Sequence, residues 1–161
     1  MDNNIKDKLS NNQNVRYASF GMRVASFAID NLLFYIICFA IQFIFGNSIF
    51  SHIVAYFFTF ALFFMCNFVK CATPAKLMLS IKLADEDTFQ RPADKHIISR
   101  YVLSSGFFAL YNLYAIFFNG ESQIIWLAIY VYIALACLYA LLNDKVQSWY
   151  DKQTKIVVIH D

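Results

Sequence analysis

Lysine and arginine are missing from two long stretches of this chain. None of the thirteen falls between Val24 and Val69 or between Tyr101 and Asp144; they gather before Val24, from Lys70 to Arg100, and from Lys145 onward. Glycine and proline are scarce too, four and two in 161 residues, which leaves little room for the glycine-rich loops that cradle phosphates. The four cysteines, Cys38, Cys66, Cys71 and Cys137, have neither CxxC nor metal-ligand spacing, so they read as small packing groups and no metal site is expected. His52, His96 and His160 are scattered, with no nucleophile elbow beside them; neither an enzyme nor a cofactor is expected. Charged residues make up only 15% of the chain, and a formal net charge of +2 is too small to suggest a nucleic acid partner.

What fills the uncharged stretches is mostly Phe, Ile, Leu, Ala and Tyr, in a chain that is 60% hydrophobic. Each stretch has room for two spans of roughly 20 residues and a turn. The expected fold is an all-α integral membrane protein, a four-helix bundle of two transmembrane hairpins, with spans at about 24–45, 49–69, 101–118 and 124–142. Gly46, Asn47 and Ser48 form one outer turn, and Asn119, Gly120, Glu121 and Ser122 the other. Lys and Arg concentrate on the cytoplasmic side, and the basic blocks can share one side only if the number of spans is even. Both termini and the 70–100 loop are therefore expected in the cytoplasm of a multi-pass inner-membrane protein, with the basic blocks against the anionic headgroups of the bilayer. Residues 1–15 read as a mobile polar tail and 16–161 as one membrane domain. The first span is expected to remain as an uncleaved anchor. Four spans without a convincing internal repeat are few for an alternating-access transporter, so a homo-oligomer or a membrane-protein partner is expected.

The 70–100 loop has a pattern of its own. Leu77, Leu79, Ile81 and Leu83 alternate with Lys76, Met78, Ser80 and Lys82, the period of a strand with one apolar face. The β-branched run from Ile156 to Ile159 predicts a second strand, and the two are expected to pair on the cytoplasmic face. The rival reading is an interfacial amphipathic helix from Ala75 to Ala84. Small residues four apart, Gly21 with Ala25, Ser105 with Ala109 and Ala136 with Ala140, mark faces where helices could approach closely.

Asp30 is the most informative single residue. It lies about seven residues into the first span, roughly 10 Å deep at a rise of 1.5 Å per residue, where an unpaired carboxylate costs several kcal/mol. Arg23 is two turns earlier on nearly the same face, too far for a relaxed salt bridge along one helix but able to face the same polar crevice. Asp151, just beyond the fourth span, is close enough in depth to reach Arg23 or Arg100. Gln42, Asn67 and Asn112 are further polar groups within the spans, suited to interhelical hydrogen bonds.

Four ordered segments carry a resemblance: RVASFAID from Arg23 to Asp30, ATPAKLMLSIKLADED after the second span, IISRYVL, and QSWYDKQTKIVV. Together they resemble the RDD family of small multi-span membrane proteins, over nearly the whole chain from about Tyr17 to Val158. That family is named for one Arg and two Asp, which map onto Arg23, Asp30 and Asp151. Ala75 stands where the family often has Gly, Tyr150 where it often has His, and Lys155 and Ile156 at positions usually small or Thr. The resemblance implies a membrane protein of mostly undefined role, with transport proposed and no shared reaction. Two functions follow as expectations. One is a structural or partner-binding role in which Arg23, Asp30 and Asp151 form a buried ion network. The other is small-ion or proton-coupled transport using Asp30.

Overall fold

The computed structural model describes residues 15–46, 48–118 and 123–160. The residues of the expected tail up to position 14, the whole second outer turn at 119–122, Asn47, and the side chain of Asn112 lie outside the described set. In chain order the elements are α1 (Phe20–Phe45), α2 (Ile49–Lys70), α3 (Pro74–Met78), β1 (Ile81–Asp85), α4 (Asp94–Phe118), α5 (Gln123–Leu141), α6 (Trp149–Gln153) and β2 (Ile156–His160).

Local chemistry sets the boundaries of the first hairpin. Ser19 caps α1 by accepting from the Met22 N–H, and Ser48 forms a reciprocal capping box with Ser51 at the start of α2, satisfying donors that a helix end leaves open. Between them Gly46 takes a φ of 82°, which a side chain would oppose. α2 stops at Cys71, whose φ of 53° is left-handed. That conformation is held from outside, because the Cys71 carbonyl accepts the Leu83 N–H of β1 at 2.7 Å.

α1 and α2 are long and apolar enough to cross a membrane, and their surfaces are inverted relative to those of a soluble protein. Phe39, Phe43, Ile44 and Phe58 face outward, while Ser26, Ser51, Thr59 and Asn67 are buried. Apolar surface on this scale needs cover. Inside the hairpin, the Phe34 ring meets Tyr56 and Phe63 at centroid distances of 5.5 and 5.8 Å, and the Cys38 thiol approaches Thr59 Oγ1 at 3.5 Å. α4 packs on α2 through Tyr101, whose ring lies 5.1 and 5.2 Å from Phe60 and Phe64. Its hydroxyl donates to the Phe60 carbonyl at 3.2 Å. α5 joins α4 through the Tyr132 hydroxyl, which donates to the Leu103 carbonyl. Of the small-residue pairs, Ala136 and Ala140 are buried, whereas Gly21 and Ala25 are exposed; a Cβ at Gly21 would meet nothing within 4 Å.

β1 and β2 pair antiparallel, with Leu83 opposite Val158 and Ala84 opposite Val157. The segment entering α1 lies along the other edge of β2: the Ala18 N–H donates to the Val158 carbonyl, and the His160 N–H to Arg16. One sheet face packs Ile81, Leu83, Ile156 and Val158 against Ala18, Cys71 and Ile97. The other packs Ala84, Val157 and Ile159 with Val15, Tyr17 and Phe89. Cover on both faces explains why the run from Ile156 to Ile159 is continuously apolar.

The strand in the 70–100 loop begins later than the alternation suggested. Pro74 suits the first turn of a helix, so Leu77 belongs to α3, and Ser80, at φ 51°, turns the chain into β1. The helical and the extended readings of this stretch each describe one half of it.

Candidate functional site

Asp151 joins three parts of the chain. It is 1% exposed, at the third position of the short helix α6, where it completes a capping box with Ser148. Its Oδ1 accepts from Arg100 Nε at 2.6 Å. Its Oδ2 accepts from Arg23 Nη1 at 2.9 Å, from the Ser148 hydroxyl at 2.7 Å and from the Ser148 N–H at 3.3 Å. Burial pushes the carboxyl pKa up, but the Arg100 and Arg23 charges and the Ser148 hydroxyl outweigh it and hold it below the usual value. The Arg100 guanidinium also lies 5.6 Å from the centre of the Tyr150 ring, so the residue that replaces the family's frequent His supplies a cation–π contact here.

Asp30 takes other partners. Its Oδ2 accepts from Thr73 Oγ1 at 2.5 Å and its Oδ1 from the Ala75 N–H at 3.0 Å. Thr73 is the N-cap residue of α3, yet its side chain makes no capping bond, because its hydroxyl is turned toward Asp30. Pro74 has no N–H, so the first free donor of α3 is that of Ala75, and the Asp30 carboxylate fills it. A residue from α1 thus caps α3 from outside. Two hydrogen bonds join Asp30 to the Thr-Pro-Ala segment.

Lys76 feels both carboxylates. It interacts electrostatically with Arg100, Asp151, Asp30 and Arg23, and burial followed by repulsion from Arg100 pushes its ammonium down to about 7. No ion pair to it occurs among the described residues. Two guanidinium donors of Arg23, Nε and Nη2, are also buried without partners, as are both amide atoms of Asn67. Asn67 lies one turn beyond Phe63 on α2, and Asp30 one turn before Phe34 on α1. Because Phe34 and Phe63 touch across these antiparallel helices, Asp30 and Asn67 occupy the same level of the α1–α2 interface.

Of the candidates named from sequence, the structure brings Arg23, Arg100 and Asp151 into direct contact. It places Asp30 at a separate centre with Asn67 at its level, and leaves Gln42 half-buried three turns farther along α1. Thr73, Ala75, Lys76 and Ser148 were not named as site residues from the sequence, although the first three stand in the quoted segment beginning ATPAK and Ser148 in QSWYDKQTKIVV.

A family model for the RDD family matches residues 17–155. The chain belongs to the RDD family. The match covers every element from the segment before α1 to the turn before β2, and with it all three residues that give RDD its name. RDD membership and the two apolar helices mark a membrane protein. No curated protein and no solved structure matches the chain.

Proposed function

We propose that this RDD chain is a multi-pass inner-membrane protein, a four-helix bundle with both termini and the 70–100 loop in the cytoplasm. In this reading the Arg23–Asp151–Arg100 centre holds the small sheet onto the helix ends as a platform for a membrane-protein partner or a second copy. The observation that carries it is the saturation of Asp151 by donors from α1, α4 and α6, which leaves that carboxylate committed to structure. A buried charge network of this kind fixes register, and it gives the platform no reaction to catalyse. Complex recovery tests the role. Alanine at exposed 70–100 loop positions should reduce recovery of the assembled complex without changing ion flux in proteoliposomes; unchanged recovery with lost flux would overturn it. Topology is tested separately by single-cysteine labelling in a background lacking the native cysteines, and labelling of position 120 only from the cytoplasmic side would sink it.

A second reading, transport of a small ion or proton at Asp30, is favoured by one specific observation, the orphaned amide of Asn67 at the level of Asp30. Buried amides without partners call for water or an ion. Asp30→Asn that assembles normally but loses pH-dependent flux would support it, and flux equal to wild type at every pH would remove it.

A further inference from the structure

Away from the Arg and Asp centres, a recess of about 230 Å³ opens where α2 meets the sheet. Its lining includes Lys70, Lys82 and Arg91, with Val69, Leu83 and Phe89 as apolar wall. Arg91 is fixed there. Its Nη2 donates to the Phe68 carbonyl at 3.2 Å and to Asp94 at 3.0 Å, and the guanidinium lies 5.7 Å from the centre of the Phe68 ring. Among the described residues Nε and Nη1 make no hydrogen bond, so they keep donors for an anion. Lys70 is exposed at the last position of α2.

The recess sits at the end of an apolar track. Val54, Phe58, Leu62, Met65 and Val69 are all exposed, and their spacing of four, four, three and four places them on one face of α2. The track reaches the recess at Val69, which belongs to both. A cationic pocket joined to an apolar stripe about 22 Å long matches a molecule with an anionic head and an acyl tail.

We propose that this recess is the headgroup site of an anionic phospholipid, its phosphate held by Lys70, Lys82 and Arg91 and an acyl chain lying along α2. Charge complementarity selects the anionic lipid over a zwitterionic one, whose choline or ethanolamine would meet the same cations. The inference rests on the membrane reading of α2 and is independent of the Arg23–Asp151–Arg100 centre and of any role for Asp30.

The test uses the full chain purified in neutral detergent and stripped of lipid, with phosphatidylglycerol or phosphatidylcholine returned at equal mole fraction. The readouts are thermal midpoint and retained lipid by native mass spectrometry. Phosphatidylglycerol is expected to raise the midpoint and remain bound, phosphatidylcholine to do much less, and added salt to narrow the difference. Each cation removed, in Lys70→Gln and Lys82→Gln, should weaken the phosphatidylglycerol response about fivefold, the equivalent of ~1 kcal/mol per basic residue at a membrane surface. Arg91 also ties the loop to α2, so Arg91→Lys accompanies Arg91→Gln; the charge-conserving change should retain most of the response. Val69→Ser with Met65→Ser should shorten retention. Equal responses to the two lipids, or full selectivity in Lys70→Gln/Lys82→Gln, would overturn the proposal. So would an equal shift with inorganic phosphate alone, or a dimer that seals α2 without lipid. Failure of the topology labelling with lipid selectivity intact would remove the inner-membrane reading and leave the site standing.

Discussion

The two aspartates that map onto the family's name are stabilised in opposite ways. Asp151 is held by two guanidinium groups and a serine, so its negative charge is balanced in excess. Asp30 is held by a hydroxyl and a backbone N–H, donors that carry no net charge. Neutral donors satisfy lone pairs without fixing a charge state as firmly as a buried ion pair does. Asp151 is therefore tied by ion pairs to α1 and α4, whereas Asp30 is tied to the start of α3 by neutral donors alone.

The largest effect that would sharpen this contrast is at Asp151. Asp151→Ala leaves Arg23 and Arg100 buried without their counter-charge, and is expected to cost about 3–5 kcal/mol, measured by unfolding in mixed micelles. Arg23→Met in the same background should then cost little, because the guanidinium it removes is already stranded. Arg23 and Asp30, which share only the electrostatic influence of Lys76, should couple far less than Arg23 and Asp151 do. Strong coupling between Arg23 and Asp30 would show that the two centres are one. Acid should act on the same anchor: the lowered Asp151 pKa contributes stability that is present above the ordinary carboxylate value and lost as pH falls through the folded one.

Lys76 breaks the contrast from the other side, since both carboxylates act on it electrostatically. Its folded value of about 7 lies below the ordinary 10.5, so below pH 7 it is charged in both states and its burial penalty is complete. As pH rises above 7 the folded protein releases the proton while the unfolded chain keeps it up to about 10.5. Stability should therefore rise across that window. Lys76→Met should abolish the rise and leave the protein more stable than wild type at pH 6, where the wild-type ammonium is charged and partly desolvated. A variant less stable than wild type at pH 6 would mean that Lys76 is a working partner of Asp30 or Asp151.

How much of this was legible depended on the range of the interaction. The absence of Lys and Arg from 24–69 and 101–144 is a long signal, and the corresponding helices follow it. The β-branched run at 156–159 has a physical cause in a strand covered on both faces, and Arg23 with Asp151 was reachable through the family pattern. The partner of Asp30 was hidden because it depends on where a five-residue helix lands against α1, which no local periodicity reports. Lys76 was hidden for another reason. In a loop holding Lys70, Lys82, Lys95 and two arginines it looks like one more cytoplasmic charge, and only packing separates it from the rest.

The smallest and sharpest test concerns the neutral donors of Asp30. Thr73→Val removes the hydroxyl while keeping the side-chain shape, and should cost about 0.5–1.5 kcal/mol. Asp30→Asn keeps one acceptor for the Ala75 N–H but can meet the Thr73 hydroxyl only on different terms, so it should cost a similar amount. If Asp30 serves only to cap α3, the two changes remove parts of one interaction, and the double variant should cost clearly less than their sum. If Asp30 also exchanges an ion or proton with the space beside Asn67, Asp30→Asn carries an effect that Thr73→Val does not. Flux should then fall in Asp30→Asn and persist in Thr73→Val at matched stability. Loss of flux in both, in proportion to stability, would make Asp30 a second anchor like Asp151 and erase the difference between the two aspartates.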